Sequence, residues 1–401
     1  MTLSAGDFPP GTPLHHFFAW NERKSWPDRR YRLMRDPDPL PRHLAEPLAA
    51  AVGNADSSAH AAVFAAFEEV GAPSRAGPRH ILVIRLSAFG DFIQALGPIA
   101  AIRRHHAGDR LSLLTTRPFA GFAETLGLFD EVLIDDRPGP VALAGWLTLR
   151  RRLRQGNFDR VYDLQTSTRS GVYAWLLRPR LPEWSGIAWH CSHPHANLDR
   201  DAQHTLDKQE EQLLMAGIYP TPLPALPPFD RALPEELAGR DFVLLVPGSS
   251  PQHLDKRWPA ARFALLARAL DEARHVPVVV GMTHEAPLAA VIRTACPGAV
   301  DLVGQTDLAL LAALAQHARL TVGNDTGVCH LAAAAGCPLV VLFSRRSNPT
   351  RVVPRGPLVR ILAEPDLHDL PAETVIAEAM DILAQQPNRR PVNPSQLARP
   401  R

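Results

Sequence analysis

The sequence predicts an α/β protein built of two doubly wound parallel-sheet domains. Three observations carry that expectation. Apolar runs recur along the chain, each followed by a polar turn and a helical pattern, as expected for strands buried on both faces of a parallel sheet. A chain of 401 residues is too long for one ordinary core and suits two domains of roughly 120–200 residues. Six prolines fall between 220 and 234 and divide the alternating pattern into two halves. Proline lacks an N–H donor and breaks both helix and central strand.

The elements follow in order. Residues 1–78 read as an extension of unknown role, rich in proline, with an Ala-rich stretch at 48–70 that suits one or two helices. The first domain spans 79–225. It begins with the apolar run I-L-V-I-R-L at 81–86, then Gly90 and Asp91, then a helical pattern at 92–104. Strands at 111–114, 132–134 and 160–164 alternate with helices near 119–126 and 141–154. A Pro-rich linker occupies 226–239. The second domain, 240–365, repeats the plan. A strand at 242–246 leads to a helix at 260–273, which begins after Pro259, a favourable first-turn residue. A strand at 276–280, helices at 286–295 and 308–316, a strand at 320–322, a short helix at 328–335 and a strand at 339–343 complete it. Residues 366–401 read as a helix at 372–385 and a frayed tail. Such alternation implies right-handed βαβ units. Ligands sit at the carboxyl ends of the strands in these sheets, so two of them predict a ligand cleft between the domains.

Composition narrows the function. With 46% apolar and 21% charged residues, the chain is of soluble globular type. A net charge of +2 gives no ground for a nucleic-acid partner. Cys191, Cys296, Cys329 and Cys337 form no C-x-x-C pair and no zinc-spaced cluster, which favours reduced thiols and a cytoplasmic location. The N-terminus has neither the basic nor the apolar region of a secretory signal. The longest apolar stretch, 331–343, contains Pro338 and falls short of the roughly 20 residues that span a bilayer. Of 43 basic residues only Lys24, Lys208 and Lys256 are lysines. A GC-rich genome explains most of that bias; the useful question is whether one of the three stands where chemistry needs it.

Three turns carry candidate chemistry. The first is S-A-F-G-D at 87–91, directly after a strand. Gly90 permits a tight turn, and Asp91 falls at or near the N-cap of the next helix. Plain capping and a general-base carboxylate both fit Asp91. No G-x-G-x-x-G is present, so a nicotinamide site is poorly supported. The second is V-P-G-S-S-P-Q-H-L-D-K-R-W-P at 246–259. Ser249, Ser250, Lys256 and Arg257 just ahead of a helix suit an anionic ligand, a solvated polar loop being the plainer reading. It is not a Walker A loop. The third is V-G-N-D-T-G-V-C-H-L-A-A-A at 322–334. Asp325 and Thr326 are N-cap types, Gly327 admits a ligand close to the backbone, and His330 lies one turn into the helix, whose dipole favours phosphate there.

Together these motifs resemble glycosyltransferase family 9, the ADP-heptose:lipopolysaccharide heptosyltransferases. The resemblance covers about 80–365. It rests on I-R-L-S-A-F-G-D at 84–91, D-L-Q-x-x-x-R-S at 163–170, P-G-S-S…K-R-W-P at 247–259 and G-N-D-T-G-x-x-H-L-A-A-A at 323–334. It implies a GT-B fold, two Rossmann-like domains with the nucleotide-sugar donor held mainly by the second. A C-terminal helix often crosses back to the first domain in that fold, and 372–385 is the candidate here. By resemblance, Asp91 is the general base of an inverting transfer. Lys256, Ser87, Ser249, Ser250, Arg257, Asp325, Thr326, Gly327 and His330 are donor-side residues, and Lys256 offsets charge on the leaving diphosphate. Arg85, Gln165 and Arg169 are acceptor-side residues. No metal motif is implied and no cofactor beyond the ADP-heptose-type donor. The nucleoside contact after 280 falls to Thr283 or to Glu285. At 342–349 the chain reads L-F-S-R-R-S-N-P where the family reads L-F-G-P-T-D-P.

The expected activity is transfer of a heptose or related sugar to a lipopolysaccharide-core or similar glycan. The alternatives are an inactive transferase-like scaffold and a GT-B nucleotide-sugar epimerase. A phosphorylated glycolipid acceptor would bring peripheral contact with the cytoplasmic face of the inner membrane. The Arg150–154 cluster reads either as a solvated helix face or as a contact for such an acceptor.

Overall fold

The computed structural model describes residues 77–386 apart from 190 and 198. The Ala-rich stretch at 48–70 and the tail beyond 386 lie outside the described residues. The described chain forms two units. One holds 77–87 and Gly97–Pro222; the other holds Ala88–Leu96 and the chain from Leu223 onward.

In the first unit, β1 (His80–Ile84) is a β-branched and aliphatic strand that buries Ile81, Leu82, Val83 and Ile84. It pairs in parallel with β2 (Arg110–Thr115) on one side and β4 (Arg160–Asp163) on the other. β3 (Glu131–Ile134), β5 (Glu183–Gly186) and β6 (His193–Pro194) extend the sheet, in the order β3-β2-β1-β4-β5-β6. The second unit has the same plan. β7 (Phe242–Val246) lies between β8 (Val276–Val279) and β10 (Leu320–Asn324), flanked by β9 (Val300–Asp301), β11 (Leu339–Phe343) and β12 (Val359–Ala363). Every pairing in both sheets is parallel. In each sheet the chain starts centrally and winds outward twice. The switch points fall between β1 and β4 and between β7 and β10, the places where doubly wound sheets bind ligands.

The expected helix at 92–104 is two helices, α1 (Phe89–Gln94) and α2 (Leu96–His105). Pro98 has no N–H to give the Gln94 carbonyl, so the ladder breaks there. Asp91 is not at the N-cap. That position is Ala88, and Asp91 stands three residues on, its carboxylate accepting the Ala88 N–H at 3.1 Å. A carboxylate in the first turn serves the exposed N–H groups from inside the helix as well as from the cap.

The remaining helices of the first unit are α3 (Arg117–Thr125), α4 (Leu143–Gln155), α5 (Thr168–Leu176) and α6 (Thr205–Leu214). Those of the second are α7 (Ala260–Glu272), α8 (Ala286–Ala295), α9 (Leu308–His317), α10 (Gly327–Ala334), α11 (Pro349–Val352) and α12 (Ala372–Gln385). The candidate for the helix that returns to the first domain, α12, packs into the second core. Its Val375, Ala379 and Ile382 are fully buried in one cluster with Phe263, Leu320 and Leu342. Trp258 anchors that cluster, its ring edge-on to Phe263 at 4.8 Å and its indole N–H donated to the Leu370 carbonyl at 3.0 Å.

Candidate functional site

The second unit brings two candidate turns together at the β7/β10 switch point. Asn324, the last residue of β10, is the staple. It accepts the Trp258 N–H at 3.0 Å and donates to the Pro247 and Gly248 carbonyls at 2.8 and 3.1 Å. Both ends of the 247–258 loop are thereby fixed to the G-N-D-T-G turn. The loop closes in a 3-10 turn (Leu254–Lys256), and Lys256 Nζ then reaches Asp325 Oδ2 at 2.8 Å, with both side chains largely buried. Ser249 and Arg257 stiffen the same loop. Ser249 Oγ donates to the His253 carbonyl at 2.8 Å, while Arg257 donates to Ser249 Oγ at 3.0 Å and to its carbonyl at 3.1 Å. Ser250 is exposed and its hydroxyl donates to the Gln252 side-chain carbonyl.

Glu285 lies underneath. It is buried, accepts the Met282 N–H at 2.8 Å and stands 3.8 Å from Arg257. Its carboxylate occupies room left by two glycines: a Cβ at Gly248 would meet Oε1 at 1.8 Å, and one at Gly281 would meet Oε2 at 2.6 Å. Thr283 turns elsewhere, against Gly304, where a Cβ would meet its Oγ1 at 2.7 Å. Of the two residues left open for the nucleoside contact, Glu285 is thus the one beside the P-G-S-S turn.

The third turn leads into α10 with Thr326 as N-cap. Gly327 and Gly90 allow a backbone contact no other residue permits. A Cβ at Gly327 would lie 2.9 Å from the Gly90 nitrogen, and one at Gly90 would lie 2.7 Å from the His330 ring. The helix bearing Asp91 therefore sits next to buried His330 on the N-terminal turn of α10, which begins two residues after Asp325 in the chain.

In the first unit, Asp163 ends β4 in a tight turn. Its Oδ1 accepts the Gln165 and Thr166 N–H groups at 3.1 and 2.9 Å, and Thr166 takes a positive φ of 44°. Burial pushes the Asp163 carboxyl up to about 6, partly offset by those backbone bonds. Gln165 then accepts the Leu86 and Ser87 N–H groups at 2.8 and 3.2 Å, clamping the start of the S-A-F-G-D turn. Buried Arg85 donates to the Leu164 carbonyl. Arg169 is held in a network: it donates to both oxygens of Asp135 at 3.0 and 3.1 Å and lies 4.9 Å above the Trp146 ring. Burial works against the Asp135 charge, but Arg169, Tyr173 and the Arg137 N–H hold its carboxyl below the usual range.

The sequence reading missed several of these partners: Asn324, Asp163 and Asp135, and a buried group around Glu211. Glu211 accepts from Asn197 and Gln203, and His195 beside it is bonded by Arg200, which also reaches Thr166. Asn324 and Asp163 lie inside quoted motifs, so their place at strand ends was the available signal. Asp135 and Glu211 carried none.

Among the described residues no group of three or more His, Cys, Asp or Glu is placed to hold a metal, and no helix is long and apolar enough to cross a membrane. Two parallel doubly wound units, each with a polar turn at its switch point, define a two-domain Rossmann-like α/β architecture. The chain belongs to glycosyltransferase family 9 (heptosyltransferase), whose profile matches residues 146–374, more than half of it. It is a glycosyltransferase with the GT-B fold. It is 22% identical over 306 residues to the lipopolysaccharide core heptosyltransferase OpsX of Haemophilus influenzae, covering 71% of this chain and 84% of the relative. It is 27% identical over 301 residues to lipopolysaccharide heptosyltransferase 1 of Pseudomonas aeruginosa, covering 66% and 78%. Among solved structures, a glycosyl transferase family 9 protein from Veillonella parvula superposes with a TM-score of 0.66 at 20% identity, covering 77% of this chain and 98% of that one.

Proposed function

We propose that this glycosyltransferase transfers a heptose, with inversion, from an ADP-activated donor to a glycolipid of the lipopolysaccharide core. The observation that carries the reading is the Gly90–Gly327 contact. It sets the segment bearing Asp91 on the turn whose Asp325 holds Lys256. The curated relatives, named for lipopolysaccharide heptosyl transfer, support the substrate class.

In this mechanism the Asp91 carboxylate takes the proton of an acceptor hydroxyl. The freed oxygen attacks the anomeric carbon from the face opposite the diphosphate. The new C–O bond forms as the bond from that carbon to the β-phosphate oxygen breaks, and the electron pair leaves with ADP. Charge then builds on the diphosphate. Lys256, Arg257, His330 and the N–H groups at Thr326–Gly327 offset it, with the hydroxyls of Ser249 and Ser250 turning to the diphosphate when it binds. The protein's cations do this work without a metal. Asp325 contacts sugar hydroxyls and Glu285 the nucleoside. Ser87 borders the donor. Arg85, Gln165 and Arg169 shape the acceptor side mainly by holding its loops. The reaction belongs in the cytoplasm, with the acceptor presented at a membrane surface.

The test is ADP release from ADP-heptose in the presence of a Kdo-lipid A acceptor. Asp91→Asn keeps an oxygen for the Ala88 N–H, so the helix start survives while the base is lost. ADP release at the wild-type rate by that variant would overturn the base assignment. Absence of any nucleotide-sugar binding would favour a scaffold role.

A further inference from the structure

Helices α4 and α5 of the first unit lie side by side. Arg150 on α4 donates to the Leu176 and Arg178 carbonyls at 3.2 and 3.3 Å. Their outward surface is unusual in two ways. Large apolar side chains are exposed on and beside these helices: Val141, just ahead of α4, is 95% exposed, Leu143 70%, Leu147 51% and, on α5, Trp175 59%. Leu143, Leu147 and Arg151 follow one another at intervals of four along α4, so they share one face. The surface is also basic, with only part of its charge compensated. The stretches 137–158 and 164–182 contain eight arginines and no Asp or Glu. Arg152 and Arg169 are paired with Asp136 and Asp135. Arg151 and Arg154 form no ion pair among the described residues; with Leu147 and Arg150 they line a shallow hollow of about 420 Å³. Arg178 stacks over Trp175 at 4.8 Å.

We propose that this face docks on an anionic phospholipid bilayer. The two properties together choose the occupant. Aliphatic side chains and a tryptophan enter the boundary between headgroups and acyl chains, while arginines with long apolar stems reach the phosphates. A second copy of the chain would oppose the same arginines across a two-fold axis, with like charges facing. The proposal goes beyond the reading of the donor site and is tested without donor or acceptor.

The full-length protein is floated with vesicles of phosphatidylethanolamine and phosphatidylglycerol (3:1) and, separately, of phosphatidylcholine. Binding to the anionic vesicles, weakened by 0.5 M salt and absent from phosphatidylcholine, is expected. Arg151→Glu/Arg154→Glu and Leu147→Ser/Trp175→Ala should each weaken it at least tenfold, with melting temperature and ADP binding retained. Equal binding to neutral vesicles, no binding to either, or unchanged binding by both variants overturns the proposal. So does a self-association of the wild type that the variants abolish while vesicle binding persists.

Discussion

Replacing Asp163 by Asn should change how stability depends on pH, and by a calculable amount. Asp163 is fully buried, and its Oδ2 has no hydrogen-bond donor. Burial raises its carboxyl from the ordinary 3.8 to about 6. Well below pH 4 the group is protonated in both folded and unfolded chains and costs nothing. As pH rises through 4 to 6 the unfolded chain releases its proton first, so the folded state loses stability across that window. Above pH 6 the penalty is complete. Two pKa units at about 1.4 kcal/mol each make it about 3 kcal/mol. Asn keeps the Oδ1 that orders the Gln165 turn and carries no charge, though its unpaired amide costs about 1–3 kcal/mol at every pH. The readout is therefore the difference in urea-unfolding free energy between Asp163→Asn and wild type, measured from pH 4 to 8. Other groups titrate equally in both proteins and cancel. The difference should shift in favour of Asn by about 2.4 kcal/mol between pH 4 and 7. A flat difference would show that Asp163 is not held as a buried acid and would refute the reasoning.

Three further outcomes are expected. Lys256→Arg keeps the charge but must fit a forked guanidinium where an ammonium stands 2.8 Å from Asp325; kcat/KM for transfer should fall at least about tenfold, roughly 1.4 kcal/mol, and a fully active variant contradicts this. Gly248→Ala would put a methyl 1.8 Å from Glu285 Oε1. Expelling that carboxylate should cost about 1–3 kcal/mol in stability and weaken ADP binding, so wild-type melting by the alanine variant counts against it. Gln165→Leu leaves the Leu86 and Ser87 N–H groups without their acceptor. Transfer should slow while donor affinity holds, and Gln165→Glu should recover most of the rate; a leucine variant with the wild-type rate would sink the clamp.

Central elements were legible from sequence and peripheral ones were not, for a physical reason. β7 and β11 are buried on both faces, so selection for burial leaves an unbroken apolar run. The helix α8 starts and stops where Pro287 and Pro297 bracket it. β5 reads E-W-S-G and β12 is half exposed at a sheet edge, so neither carries a periodic signal. α5 was hidden by the polar D-L-Q turn at its start. The candidate site divides in the same way. Turns after strands announce themselves by Gly, Ser, Asp and Thr. What fixes them comes from far along the chain: Asn324 holds a loop some 70 residues earlier, Gln165 a turn 78 earlier. Pairings at that range leave no local pattern. Asp91 shows the finer limit, because a first-turn carboxylate and an N-cap carboxylate look alike until the backbone is seen.

The pairing of Lys256 with Asp325 has a practical corollary. The chain contains only three lysines. Lys24 lies outside the described residues, and Lys208 is 3.7 Å from Asp201, far along the chain from Lys256. An amine-selective acylating reagent thus meets very few side-chain targets, and one of them belongs to the candidate donor site. Peptide mass mapping could follow acylation of Lys256 directly, with Lys208 as an internal reference. Protection of the first but not the second by added nucleotide would give an occupancy assay on the native protein, free of any introduced label.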